Sequence, residues 1–245
     1  MKRVYFIAIF LLIFNFSLFS QSKATNKTNN KNTKTTTNPN QIMTAADFFQ
    51  KVSDKYASIT QYEADVKISA NKTEMEGVVS FKKPSMLRMD FSVPEKQVIL
   101  YNGTELLIYI PKSSAVLRQD TTTDDEQNVA TVATPQGLSL MNRYYSIQYE
   151  NGPQSEPIDP DNPKSKKVKK LVLTRKNNSE SFRTMNIAID PKELLILKIT
   201  AVTTNDEEFI LSFDNYAINA DIPDTRFLYD IPPDANEYNN FLYAE

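Results

Sequence analysis

The 245-residue chain contains no cysteine, no histidine and no tryptophan. Without a thiolate or an imidazole there is no Cys or His nucleophile, no Ser-His-Asp triad, no zinc site of the usual Cys/His kind, and no haem-histidine or iron–sulfur ligation. Asp, Glu, Lys, Tyr, Ser and Thr are the only side chains left for catalysis. No disulfide can form, so stability has to come from the core, and no cysteine is available to acylate the chain itself.

Acidic residues are missing from one stretch of the chain. Lys and Arg number 28 against 30 Asp and Glu, but six of the basic residues (Lys2, Arg3, Lys23, Lys27, Lys31 and Lys34) lie in the first 41 positions, where there is no acid. Beyond residue 41 the balance is 22 basic to 30 acidic, a net −8. So acidic a body argues against general binding of nucleic acid through its phosphates.

The first segment has the pattern of an export signal. Lys2 and Arg3 precede an apolar run, Val4 to Phe19, broken by Asn15 and Ser17, and Ser20–Gln21–Ser22 and Ser22–Lys23–Ala24 both offer a small-x-small cleavage pattern. The run is short of the ~20 apolar residues of a membrane span, so residues 1–22 are expected to be a cleaved signal peptide. Residues 23–41 are dominated by Lys, Asn and Thr. Such a tract buries too little apolar surface to offset its ordering entropy and reads as a disordered tether. Residues 42–245 form the globular part, one main domain at this length.

Thr44 and Asp47 make a capping-box-like start, and Phe48, Phe49, Val52, Tyr56 and Ile59 follow at helical spacing. One amphipathic helix is predicted over about 44–59. The period then changes to two. Tyr62, Ala64, Val66, Ile68 and Ala70 alternate with polar residues, and about eleven short strands are predicted between residues 62 and 215. Asn102–Gly103 is a type I′ hairpin signal. The expected class is mainly β (α+β), a curled antiparallel meander with a helix over its concave face. Pro135–Arg143, with Leu138, Leu140 and Met141, reads as a short helix inside a long connection, of the kind that forms a lid.

Two charged features carry weak chemistry. Asp120, Asp124, Asp125 and Glu126 offer oxygen ligands but not the spacing of a calcium loop, and read as a solvated loop. Lys164, Lys166, Lys167, Lys169 and Lys170 suit either an anionic surface or a charged edge strand. No carboxylate pair stands out for glycosidase-type catalysis. Neither an enzyme nor a cofactor or metal is expected.

Apolar material is the abundant feature. Leu87, Met89, Phe91 and Val93 alternate with Arg88, Asp90 and Ser92, whereas Val98–Ile99–Leu100 and Leu106–Leu107–Ile108 are apolar on both faces. A core accounts for any one of these residues. A curled sheet rich in Met and aromatics, roofed by helices, also suits an adaptable acyl-chain pocket.

The order of motifs resembles the LolA family of periplasmic lipoprotein carriers. Gly77–Val–Val–Ser–Phe81–Lys–Lys83–Pro84 is followed by Leu87–Arg–Met–Asp–Phe91 and Pro94, then by Asn102–Gly103–Thr–Glu–Leu106 and Tyr109–Ile–Pro111. Ser212–Phe–Asp–Asn–Tyr216, Ile222–Pro223 and Phe227–Leu–Tyr–Asp–Ile–Pro232 look like the family's closing strand and tail. The resemblance covers nearly all of 42–245. It implies an unclosed antiparallel β-barrel with a helical lid, in the periplasm, carrying the acyl chains of lipoproteins from an inner-membrane ABC releasing complex to an outer-membrane receptor or membrane. The related receptor LolB shares the fold but is itself a lipoprotein, which the missing Cys disfavours here.

On that resemblance the candidate acyl-chain residues are Leu87, Met89, Phe91, Val98, Leu100, Tyr109, Leu138 and Met141. The family's lid-latching arginine corresponds to Lys83, a point charge on a flexible stem without the planar fork. The expected partners are acylated lipoproteins and the two membrane systems, with no nucleic acid, and the carrier is expected to be a monomer. A binder of free lipids or glycolipids, an envelope-stress sensor, and an interaction protein acting through the tether are the alternative readings.

Overall fold

The computed structural model describes residues 43–71, 73–120 and 135–241. The expected signal peptide, the tether, and Asp124, Asp125 and Glu126 lie outside the described residues.

Helix α1 spans Ala45–Ser58. Thr44 caps it as its composition demands: the Thr44 hydroxyl oxygen accepts from the Asp47 amide at 3.1 Å and the hydroxyl donates to the Asp47 carboxylate at 2.7 Å. Phe48, Phe49, Val52 and Tyr56 share its buried face. Thirteen strands follow among the described residues: β1 (Gln61–Ala70), β2 (Thr73–Lys82), β3 (Met86–Val93), β4 (Val98–Tyr101), β5 (Glu105–Ile110) and β6 (Ala115–Asp120), then, after helix α2 (Pro135–Tyr144), β7 (Tyr145–Tyr149), β8 (Glu156–Pro157), β9 (Lys167–Arg175), β10 (Phe182–Ile189), β11 (Ile196–Thr203), β12 (Glu208–Ile218) and β13 (Asn236–Asn239). The two strands beyond the eleven expected are β8 and β13. Both are short, and β13 is exposed at every position, so neither leaves a period-two signal.

The strands form one sheet in the order β13-β6-β5-β4-β3-β2-β1-β12-β11-β10-β9-β7, with β8 attached to β9. Every pairing is antiparallel except β13 on β6. The sheet does not close on itself. Two meanders, β1–β6 and β7–β12, are joined by the long-range β1–β12 pair, and the curl gives the sheet an inner and an outer face.

Gly77 is needed at the β2–β3 crossing. A Cβ there would sit 2.2 Å from the Asp90 carbonyl oxygen, backbone against backbone, beside a register shift at Glu76/Gly77. The Asn102–Gly103 turn departs from the type I′ expectation. Only Gly103 has positive φ (+106°), while the Asn102 carboxamide oxygen accepts from the amides of Thr104 (3.0 Å) and Glu105 (2.9 Å). Asn102 therefore caps the turn from its first position, and Gly103 takes the first central place, as in a II′ turn.

The inner face carries the main core: Leu87, Met89 and Phe91 from β3, Ile99 and Tyr101 from β4, Leu106 and Ile108 from β5, and their counterparts on β9–β12, under the buried faces of α1 and α2. The outer face of β3–β6 has a core of its own, in which Val98, Leu100, Leu107 and Val116 are covered by Ile222 and Phe227 of the C-terminal segment.

An ionic network fastens that segment. Asp90 accepts from Arg88 at 2.8 Å and lies 2.5 Å from the Arg226 guanidinium, and Arg88 also donates to the Arg226 and Leu228 carbonyls at 3.0 and 2.8 Å. Burial pushes the Asp90 carboxyl up, but the hydrogen bonds and charge of Arg88, joined by Arg226, outweigh it and hold the group below its ordinary 3.8.

Candidate functional site

The inner face and the two helices over it form the candidate site. Register decides which residues reach it. Leu87 pairs with Tyr101 and Met89 with Ile99, so the inward residues of β4 are Ile99 and Tyr101. Of the residues assigned from sequence, Leu87, Met89, Phe91, Leu138 and Met141 belong to this inner cluster, all buried. Val98, Leu100 and Tyr109 do not. Val98 pairs with Asp90 and Tyr109, Leu100 with Arg88, and all three belong to the outer cluster beneath the C-terminal segment. The assignment of these three to the inner face is corrected on that ground.

Helix α1 is held at both ends by contacts that water can replace. At its N-terminal end the Tyr149 hydroxyl points at the Met43 and Thr44 carbonyls, at 3.3 and 3.4 Å. The Lys169 ammonium lies 5.4 Å from the Phe48 ring centroid and 5.7 Å from that of Tyr149, and donates to the Pro153 carbonyl.

At the C-terminal end the Lys83 ammonium donates to the Ala57 carbonyl, where the helix leaves its last carbonyls without internal partners. The position expected to hold a latch thus touches the helix, through one donor group in place of a fork. Beside it the buried Tyr56 hydroxyl oxygen accepts from the Ile196 amide at 3.0 Å, and Tyr216 donates to the Ile196 carbonyl at 2.7 Å. Burial pushes both phenols up, so both stay protonated and neutral, Tyr56 linking α1 to β11 and Tyr216, on β12, bonding the same β11 residue.

Helix α2 is tied to the β9–β10 turn. The Lys176 ammonium donates to the Asn142 and Arg143 carbonyls at 3.2 and 3.3 Å, and its amide to the Tyr144 carbonyl at 2.9 Å. The same turn buries Glu180, whose carboxyl burial pushes up to about 7 against the opposing charge of Arg175. Its ordinary value is 4.5. The native state therefore keeps a proton that the unfolded chain releases, and stability falls as pH rises from about 4.5 to about 7, then levels off. Glu180→Gln, which mimics the protonated form, is expected to raise the thermal midpoint at about pH 8 and leave it nearly unchanged at about pH 4. Thermal denaturation at the two pH values checks this.

The inner face is a closed, apolar surface with Met75, Met89, Met141 and Met185 among its aromatics. Among the described residues no group of acids is placed to hold a metal ion. The arrangement suits one physical task, the exchange of helix-to-sheet apolar contact for contact with an apolar guest.

Sequence reasoning passed over Ile99, Tyr101 and Ile108 as inner residues, and Tyr56, Tyr149 and Lys169 as anchors of α1. The basic cluster is divided by the sheet: Lys169 turns inward to α1, Lys166 pairs with Asp190 at 3.1 Å, and Lys170 lies on the outer face.

The family model for the outer membrane lipoprotein carrier protein LolA matches residues 43–230. A search of curated proteins finds no match. Among solved structures, MucB, also solved as a complex with MucA from Pseudomonas aeruginosa, is similar with a TM-score of 0.50 at 11% identity, over 76% of this chain and 62% of that chain. An uncharacterized conserved protein from Thermus thermophilus gives 0.49 at 14% identity, over 78% of this chain and 98% of that one. The Mycobacterium tuberculosis lipoprotein LppX gives 0.48 at 11% identity, over 73% and 97%.

Proposed function

Since the chain belongs to the LolA family of outer membrane lipoprotein carrier proteins, we propose that it is an exported, monomeric carrier that shelters the acyl chains of lipoproteins on the inner face of its sheet. In this reading residues 1–22 direct export, residues 23–41 are a tether, and the globular part shuttles cargo through the periplasm from an inner-membrane ABC releasing complex to the outer membrane or a receptor there.

The observation that carries it is the inner face itself, an unbroken apolar surface roofed by two helices that polar contacts fasten at their ends. Leu87, Met89, Phe91, Leu138 and Met141 would meet the chains, and Lys83 would latch α1. Burial supplies the energy. Each methylene gains about 0.8 kcal/mol, so a chain of about 15 gains roughly 12 kcal/mol gross. Much of that offsets the contacts α1 and α2 give up when they lift. The small remainder suits a carrier, which has to release its load to a site of greater affinity without cofactor or catalysis.

The test is to strip the purified protein of lipid, mix it with a triacylated lipopeptide and measure co-elution on gel filtration. A one-to-one soluble complex is expected, with intrinsic tyrosine fluorescence changing as Tyr56 leaves its site. Uptake of free phospholipid or glycolipid in preference to the lipopeptide would reassign the cargo.

A further inference from the structure

We propose that the outer face of β9–β11 carries a second site, independent of the acyl-chain reading, that takes a phosphoryl anion between Lys170 and Lys198. A pocket of about 190 Å³ lies there, lined by Glu150, Lys170, Asn186, Ala188, Lys198 and Thr200.

Strand register builds it. Ala188 pairs with Lys170 on β9 and with Lys198 on β11, so two ammonium-bearing stems flank a single methyl group in one cross-strand row. In the next row Asn186 pairs with Thr200, which sets a carboxamide and a hydroxyl beside the cleft. The register shift at Ala188/Ile189 turns Leu197 and Lys198 consecutively to the outer side.

The two lysines differ from their neighbours in having no partner. Lys166 is paired with Asp190, Lys169 and Lys176 donate to carbonyls, and Lys67 is paired with Glu76. Neither the Lys170 nor the Lys198 ammonium has a hydrogen bond or ion pair among the described residues, although both residues are half-buried and the globular part is acidic overall. Two lysines without a bonded partner, with Thr200 beside them and a single carboxylate, Glu150, in the same lining, leave a net positive pocket that matches an anion with several acceptor oxygens.

A tetrahedral phosphoryl group, whose acceptor oxygens point in several directions, can meet two ammonium groups from opposite sides, which suits this pair better than the two coplanar oxygens of a carboxylate. Lysines bind such a group as point charges, without the fork that arginine offers a carboxylate. The Glu150 carboxylate, 3.3 Å from the Asn186 amide nitrogen, repels a second negative charge but accepts from a hydroxyl, which favours a phosphate ester carrying a neighbouring alcohol. A glycerophosphoryl headgroup in a membrane and a soluble phosphate ester share this chemistry.

The test uses the full globular protein with lysine ε-carbons labelled. Glycerophosphoglycerol, a soluble monoanionic phosphodiester with free hydroxyls, is titrated in one arm, and vesicles of phosphatidylcholine with or without phosphatidylglycerol in the other. The ε signals of Lys170 and Lys198 are expected to shift saturably, K170Q/K198Q to weaken binding about tenfold or more, and K164Q/K167Q, outside the pocket, to leave it unchanged. Binding of the soluble ester assigns a free ligand, and binding only to phosphatidylglycerol vesicles assigns a headgroup. Both outcomes support the site. No binding in either arm, or equal weakening by the two double variants, overturns it.

Discussion

Exchanging Phe91 for Glu is expected to reduce lipopeptide uptake by at least a hundredfold. Phe91 lies in the inner cluster, with its neighbours Leu87 and Met89 on the same side of β3. A carboxylate there would sit among the buried apolar side chains of the inner cluster, and an incoming acyl chain would strip it of water. A desolvation penalty of about 3 kcal/mol, modest for a charge in an apolar site, already amounts to more than a hundredfold in affinity.

The closed, unliganded form also suffers, so loss of uptake must be separated from loss of fold. Leu107→Ala supplies the comparison, because Leu107 is as buried as Leu87 but belongs to the outer cluster. It is expected to lower stability by about 2–5 kcal/mol and to keep its affinity for lipopeptide wherever it remains folded. Equal loss of uptake in both variants at matched folded fraction would remove the inner face from the account.

Lys83→Ala is expected to do the opposite to affinity. Its ammonium bonds the Ala57 carbonyl near the end of α1, and Lys83 is partly exposed, so the contact is worth about 1 kcal/mol. Removing it favours the lifted helix. Cargo that binds only the lifted form then gains about fivefold in apparent affinity, and transfer to acceptor vesicles slows by a similar factor. Lys83→Arg keeps a donor at the carbonyl and is expected to behave like the parent. Stopped-flow transfer of a fluorescent lipopeptide reads both effects, and identical affinities and rates for all three proteins would show that α1 does not gate the site.

Local chemistry was legible in the sequence where one face of an element is wet. Thr44 and Asp47 marked the start of α1 because capping needs only neighbours three residues away. The alternation of Leu87, Met89 and Phe91 with Arg88, Asp90 and Ser92 fixed which side of β3 faces inward. Val98–Ile99–Leu100 carried no such information, since both its faces are buried. Its outer side is covered by Ile222 and Phe227, more than a hundred residues along the chain, and only pairing with β3 settles its register.

The anchors of α1 were hidden for the same reason. Lys169 in a run of lysines looks like solvent-facing charge, and its place over Phe48 and Tyr149 follows from β9 packing beside β7. The motif order around Lys83, Asn102–Gly103 and Phe227 pointed to the family over most of the globular part, and the family model spans 43–230. Cargo identity lies in no single residue, because burial of methylenes is indifferent to the group they are attached to.

Native mass spectrometry with lipid extraction, on the protein purified from its own host, tests the central claim most directly. The account predicts an adduct with the mass of an acylated lipoprotein, absent from the Phe91→Glu variant and present in Leu107→Ala. A protein recovered without lipid, which also fails to take up added lipopeptide, would contradict it.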